Sequence, residues 1–327
     1  MLVRSFRQNQ PAVLFLLLLV VPLLWPGALS GEAYALARLR AGMPLARILA
    51  QLLVLAPWVH WLVGILFSLG CGLLLDTLAS DAELFDRRNH LPALLFPIMM
   101  ALAPQGMWVG PAFLGLPFVL WGFARTWSIQ GRTTSLGPLF DAGLLIGLAA
   151  LCYFPYIFLV VVVWASVAVM RPFQWRDYVV PFVGLLVPYY LAWGVSGIFD
   201  LPAMDPLRTM AGRGMSTLQR PTTLWSALVL LVFVPLMLKG LANYATLYMR
   251  SIVREKNVRS AFLAASLALA ILFGFESLLN RTYPGALLAV PLAVIGSHAV
   301  LRPGRDWLSE LAMWWLLAAA LWMRWMG

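Results

Sequence analysis

Hydrophobic positions along the chain gather into blocks of about 17–25 residues, the length that carries an α-helix through the hydrocarbon of a bilayer. Short charged or Pro/Gly-rich breaks separate them. Eleven blocks are found, centred on residues 11–28, 57–76, 91–105, 107–124, 138–152, 155–170, 178–196, 224–240, 259–274, 284–301 and 307–324. The pattern predicts an all-α fold, a polytopic transmembrane helical bundle of about eleven spans. Several blocks are short, and the third with the fourth, or the fifth with the sixth, read also as re-entrant pairs. Ala46 to Pro57 predicts an interfacial helix leading into the second block. Tyr244 to Arg259, which mixes Tyr, Leu, Met and Ile with charged residues, reads either as a cytoplasmic interfacial helix or as a basic linker. No repeat of fixed period and no soluble domain falls between the blocks, so residues 1–327 are expected to form one membrane domain. Pro11 to Leu29 follows Arg4 and Arg7 and exceeds the roughly 7–15 residues of a signal-peptide core. A retained first helix is expected there.

Composition supports the same class. Of 327 residues, 62% are hydrophobic and 11% charged, against roughly 25% charged in soluble domains. Thirteen acidic and 23 basic side chains are too few to clothe a soluble protein of this length. The formal charge of +10 does not point to nucleic acid, because the basic residues fall between apolar blocks as span flanks do. Sorting them into alternate loops puts fifteen on one side and eight on the other. Retained basic residues mark the cytoplasmic side, so the N-terminus is expected inside and the C-terminus outside. Cys71 and Cys152 lie within apolar blocks and lack the spacing of a metal site or disulfide framework.

In that topology only Glu32, Asp200, Asp205 and Glu276 are outer acids. An enzyme working at the outer surface on a hydroxyl acceptor needs a carboxylate base near the interface and a cation for a phosphate leaving group. Glu32, just after the first block, is the candidate base; its bland alternative is a solvated loop acid. Asp200 and Asp205 precede Arg208, Arg213 and Arg220 in one loop, a charge cluster that a surface salt-bridge patch explains equally well. Glu276 and Arg281 sit where the ninth and tenth blocks meet, as a phosphate-binding pair or as structural anchors. His60, His90 and His298 are far apart in sequence and depth, with no metal-binding spacing, and neither a Walker loop nor a GxSxG elbow occurs. Neither metal nor cofactor is expected. Asp141 reads as the N-cap of the fifth helix.

Two resemblances are visible. Asp86-Arg87-Arg88-Asn89-His90-Leu91-Pro92, the run from Phe140 to Pro155, Arg171 to Tyr178 with its Trp175-Arg176 element, and Pro188-Tyr189 resemble an uncharacterised polytopic membrane protein family of Bacteroidota. Its members have often been labelled carotene-cleaving oxygenases, and the likeness assigns no reaction; it implies a multi-pass protein of a bacterial inner membrane. Glu32-Ala33-Tyr34, the run Ala142 to Ala149 and Arg281-Thr282-Tyr283-Pro284 resemble GT-C glycosyltransferases, membrane enzymes that take sugar from a polyprenyl phosphate donor on the outer face. That likeness implies an acidic residue in the first outer loop, which falls on Glu32, although Gly31 stands where the family often has an aspartate. The expected function is an outer-face transferase, with Glu32 as base and Arg281, Arg208, Glu276, Asp200, Asp205 and Tyr34 around the donor. Its partners would be membrane lipids and a polyprenyl-phosphate sugar. A scaffold subunit docking envelope proteins is the alternative, and a transporter comes third.

Overall fold

The computed structural model describes residues 6, 12–25, 42–53, 57–103, 109–131, 134–198, 223–279, 283–301 and 306–325. Among these the chain is all-α. Its helices are α1 (Ala12–Leu24), α2 (Pro44–Leu53), α3 (Pro57–Asp81), α4 (Leu91–Leu102), α5 (Pro111–Trp127), α6 (Leu136–Cys152), α7 (Val160–Met170), α8 (Trp175–Ile198), α9 (Thr223–Arg250), α10 (Val253–Leu279), α11 (Gly285–Leu301) and α12 (Asp306–Trp325). Apolar blocks become helices because a helix satisfies its own backbone donors and acceptors where no water can.

Each apolar block overlaps a helix, but four details differ from the sequence expectation. The sixth block opens as a 3₁₀ turn, Phe154–Leu159, before α7 begins; Pro155 lies at its start and supplies no N–H to an α-helical ladder. The helix expected over Ala46 to Pro57 is α2, Pro44–Leu53. Tyr244 to Arg259 is neither a separate interfacial helix nor a linker. It is shared between the end of α9 and the start of α10, which meet across residues 251–252. Asp141 does not cap α6. The helix starts five residues earlier, with Ser135 as N-cap and Pro138 tolerated in the first turn, so Asp141 pairs instead with Arg125 at 3.1 Å.

The centre of the bundle is α4 packed on α11. Every residue of α4 from Leu91 to Ala101 is buried, and α3, α11, α12 and α1 surround it. From this centre α11 leads to α9 and α10, while α3 leads through α5 to α6 and α8. Close approach depends on missing side chains. Gly143 of α6 lies beneath the Pro181 carbonyl of α8, and Gly240 of α9 beneath the Ile295 carbonyl of α11.

The outer surface is apolar. Large hydrophobic side chains stand exposed along α8, α9 and α10, among them Phe182, Leu186, Leu231, Leu238 and Leu267. Four helices are long and apolar enough to cross a membrane by length and composition, over Trp58–Asp81, Trp175–Ile198, Val229–Arg250 and Val253–Leu279. Exposed aromatics mark both ends of α8: Arg176 lies over the Trp175 ring at 5.7 Å, and Tyr190 meets Trp193 at 6.3 Å. Trp175 and Trp193 are about 27 Å apart at the helical rise, close to the ~30 Å hydrocarbon thickness that aromatic belts bracket. The described chain has the surface of a membrane-embedded helical protein.

Enlarging the α6–α8 contact tests this packing. Gly143→Leu must push apart two backbones, and overpacking of this kind costs about 1–3 kcal/mol. Gly194→Ala, where nothing lies within 4 Å of the added carbon, is expected to be neutral or slightly stabilising. Thermal unfolding of both variants in detergent checks the contrast.

Candidate functional site

Of the seven residues that the sequence marks for an outer-face site, Glu32, Tyr34, Asp200, Asp205, Arg208 and Arg281 lie outside the described residues. Glu276 is described. It sits one turn from the end of α10 and is only 3% exposed, on an otherwise apolar stretch of helix. It has an interaction partner. Burial of a carboxylate there is costly unless that partner or a function offsets it.

The opposite end of the bundle, where the α3–α4, α5–α6, α7–α8 and α9–α10 connections gather, holds charged groups that sequence spacing does not join. Its main element is Arg259 of α10, 1% exposed. Nη1 donates to Glu255 Oε2 at 3.1 Å and to the Leu247 carbonyl at 3.5 Å, while Nη2 donates to the Glu83 carbonyl at 3.3 Å and lies 4.0 Å from Asp86. The Tyr244 hydroxyl donates to the carbonyl of Arg259 at 2.7 Å. One guanidinium thus ties together α9, α10 and the α3–α4 turn. Local backbone chemistry presents that turn. Leu84 N–H bonds the Ala79 carbonyl and Glu83 N–H the Ser80 carbonyl, a Schellman closure with Glu83 left-handed at φ 50° where glycine is usual. Beside it His298 is held between Phe85 at 4.5 Å and Tyr244 at 5.1 Å. Asn243 Nδ2 donates to the His298 carbonyl.

Two more carboxylates work the same way. Asp76, buried in α3, meets His90 Nδ1 at 2.7 Å. His90 precedes α4, and its backbone N–H donates to the Phe6 carbonyl. Asp177, fully buried in the first turn of α8, accepts from Ser135 Oγ at 2.8 Å and faces Arg171 Nε at 3.5 Å. Each carboxylate fixes a connection against a neighbouring helix, and what these groups do chemically is hold. Asp76 was detectable as a charge inside an apolar block; its partner fourteen residues on was not. Among the described residues no three His, Cys, Asp or Glu side chains gather closely enough to hold a metal ion. Set against known protein families, characterised proteins and solved structures, the chain matches none.

Removing the central cation tests its role. Arg259→Met keeps the length of the side chain but strands the Glu83 and Leu247 carbonyls; an expected loss of about 2–3 kcal/mol follows from unpairing buried groups. Asp86→Asn, at an exposed partner, is expected to stay within about 0.5 kcal/mol. Melting temperatures of the two purified variants separate the roles.

Proposed function

We propose that the chain is an eleven-span protein of a bacterial inner membrane, with its N-terminus in the cytoplasm, and that it transfers a sugar from a polyprenyl-phosphate carrier on the outer face. The observation that carries this reading is Glu276. It is a buried carboxylate near the end of α10 away from the Arg259 network, five residues before Arg281. Charge at that depth is expensive unless it is paired or used, and ionisable residues so placed often mark functional sites. In the proposed site Glu32 accepts the proton of the attacking hydroxyl, while Arg281 and Arg208 neutralise the phosphate that leaves. Glu276, Asp200 and Asp205 orient those arginines, and Tyr34 flanks the donor.

A second reading is a non-enzymatic subunit of an envelope complex. The breadth of unpacked apolar face favours it, since the spanning windows of α8, α9 and α10 are only 22%, 17% and 28% buried within the chain. Such faces suit lipid or a partner's helices.

Two substitutions divide these readings. Glu32→Gln keeps shape and removes the base, so transfer from a polyprenyl-phosphate sugar to a hydroxyl acceptor is expected to fall about 10²–10⁴-fold. Arg281→Ala is expected to raise the donor KM. Both proteins should reach normal abundance in the membrane. Full activity in both, or loss only in step with abundance, favours the subunit.

A further inference from the structure

A narrow crevice runs between α3, α5, α10 and α11, lined by Leu78, Phe123, Trp127, Phe262, Ser266 and Val290. Its enclosed part measures about 10 Å³, the space of one water-sized group. The walls are apolar and aromatic. Trp127 stacks on Phe123 with centroids 5.8 Å apart and meets Phe262 edge-on at 6.4 Å. Two wall atoms that ordinarily hydrogen-bond do not: Trp127 Nε1 and Ser266 Oγ are buried without a partner, and Trp127 as a whole is 5% exposed. The same groups are satisfied elsewhere in the bundle. Trp61 Nε1 donates to the Trp25 carbonyl at 3.0 Å and Trp164 Nε1 to the Tyr178 carbonyl at 2.9 Å. Ser166 and Ser297 turn back to the carbonyls four residues earlier, at 2.8 and 2.7 Å. Ser266 makes no such bond.

An indole N–H can only donate, and a hydroxyl that does not turn back to its own helix has a proton to give. Two donors in an apolar niche call for an acceptor oxygen. Water supplies one but brings two O–H groups of its own, for which the lining side chains other than Ser266 offer no acceptor. A carbonyl oxygen brings none. Access is from the lipid side, since Leu263 and Leu267 flank Ser266 on α10 and are both exposed. Trp127 is the last residue of α5, where the apolar helix gives way to the turn at 128–131, and Ser266 follows Arg259 on α10 by about two turns, about 10 Å further in, so the niche lies just inside the level at which hydrocarbon gives way to glycerolipid esters.

We propose that this crevice binds a glycerophospholipid, its ester carbonyl oxygen entering to accept from Trp127 Nε1 and Ser266 Oγ and its acyl chain lying outside, along the exposed Leu263 and Leu267. The inference rests on the bundle being embedded in a bilayer and is independent of any transfer chemistry. The test uses the full chain in nanodiscs with a phosphatidylethanolamine carrying a diazirine on one acyl chain, beside its ether-linked analogue, which lacks the carbonyl. Photo-adducts are expected on the peptides holding Phe123–Trp127 and Phe262–Leu269. Labelling there should fall about fivefold in each of Trp127→Phe and Ser266→Ala, the effect of one net hydrogen bond, and about 25-fold with the ether lipid, which loses both. Labelling along exposed α8 should not change. Equal labelling by ester and ether lipids in the unaltered protein overturns the proposal without recourse to any variant, as does undiminished labelling in both variants.

Discussion

A peptide N–H or C=O that cannot reach water must find its partner within the chain, and this requirement governs the rest of the structure. With 62% hydrophobic residues the chain has little polar surface to offer solvent, and the α-helix is the element that settles the backbone inside one segment. The described residues are therefore almost all helical. The same requirement acts on side chains. Arg259, Asp76 and Asp177 are buried, and each is held by oppositely charged or hydrogen-bonding groups from a different segment. Breaking such a pair leaves a stranded group that no nearby water can satisfy.

Those pairs also explain how short, uniformly apolar helices keep a defined order. Hydrophobic contacts discriminate poorly between neighbours when every face is apolar, and lipid competes for the same surfaces. At α4 and α11 the buried residues are apolar or small apart from Ser297 and His298, so direction and register need other devices. Two are visible. Glycines admit a neighbouring backbone at fixed heights, as Gly143 does for Pro181. Polar ties then lock the connections at one end, with Arg259 bridging α9, α10 and the α3–α4 turn.

Much of the fold class was legible in the sequence because its signal is local: block length, block spacing and scarcity of charge each refer to one stretch of chain. Long-range features were not. Asp76 and His90 stand at opposite ends of a turn whose Schellman closure uses Glu83 in place of the usual glycine, so no glycine marks it. Arg259 reads as a loop cation in the sequence, although α10 carries it into the protein before the apolar run begins. The 3₁₀ opening before α7 follows from Pro155 but was masked by the unbroken hydrophobicity of Phe154 to Met170. For the outer-face site the sequence supplied residue types and spacing, and Glu276 alone of those residues falls in the described part, where burial marks it out.

The proposed reading needs residues 199–222, which follow α8 and precede α9 in the chain, on the side opposite the Arg259 network, and labelling at Ser216 tests this most directly. Ser216→Cys, with Cys71 and Cys152 replaced by Ala, is expected to react with a membrane-impermeant maleimide in intact spheroplasts, while a cysteine placed at Ser251 reacts only after lysis. Labelling of the Ser216 position only after lysis, with the Ser251 position open in intact cells, would invert the topology and remove the outer-face site.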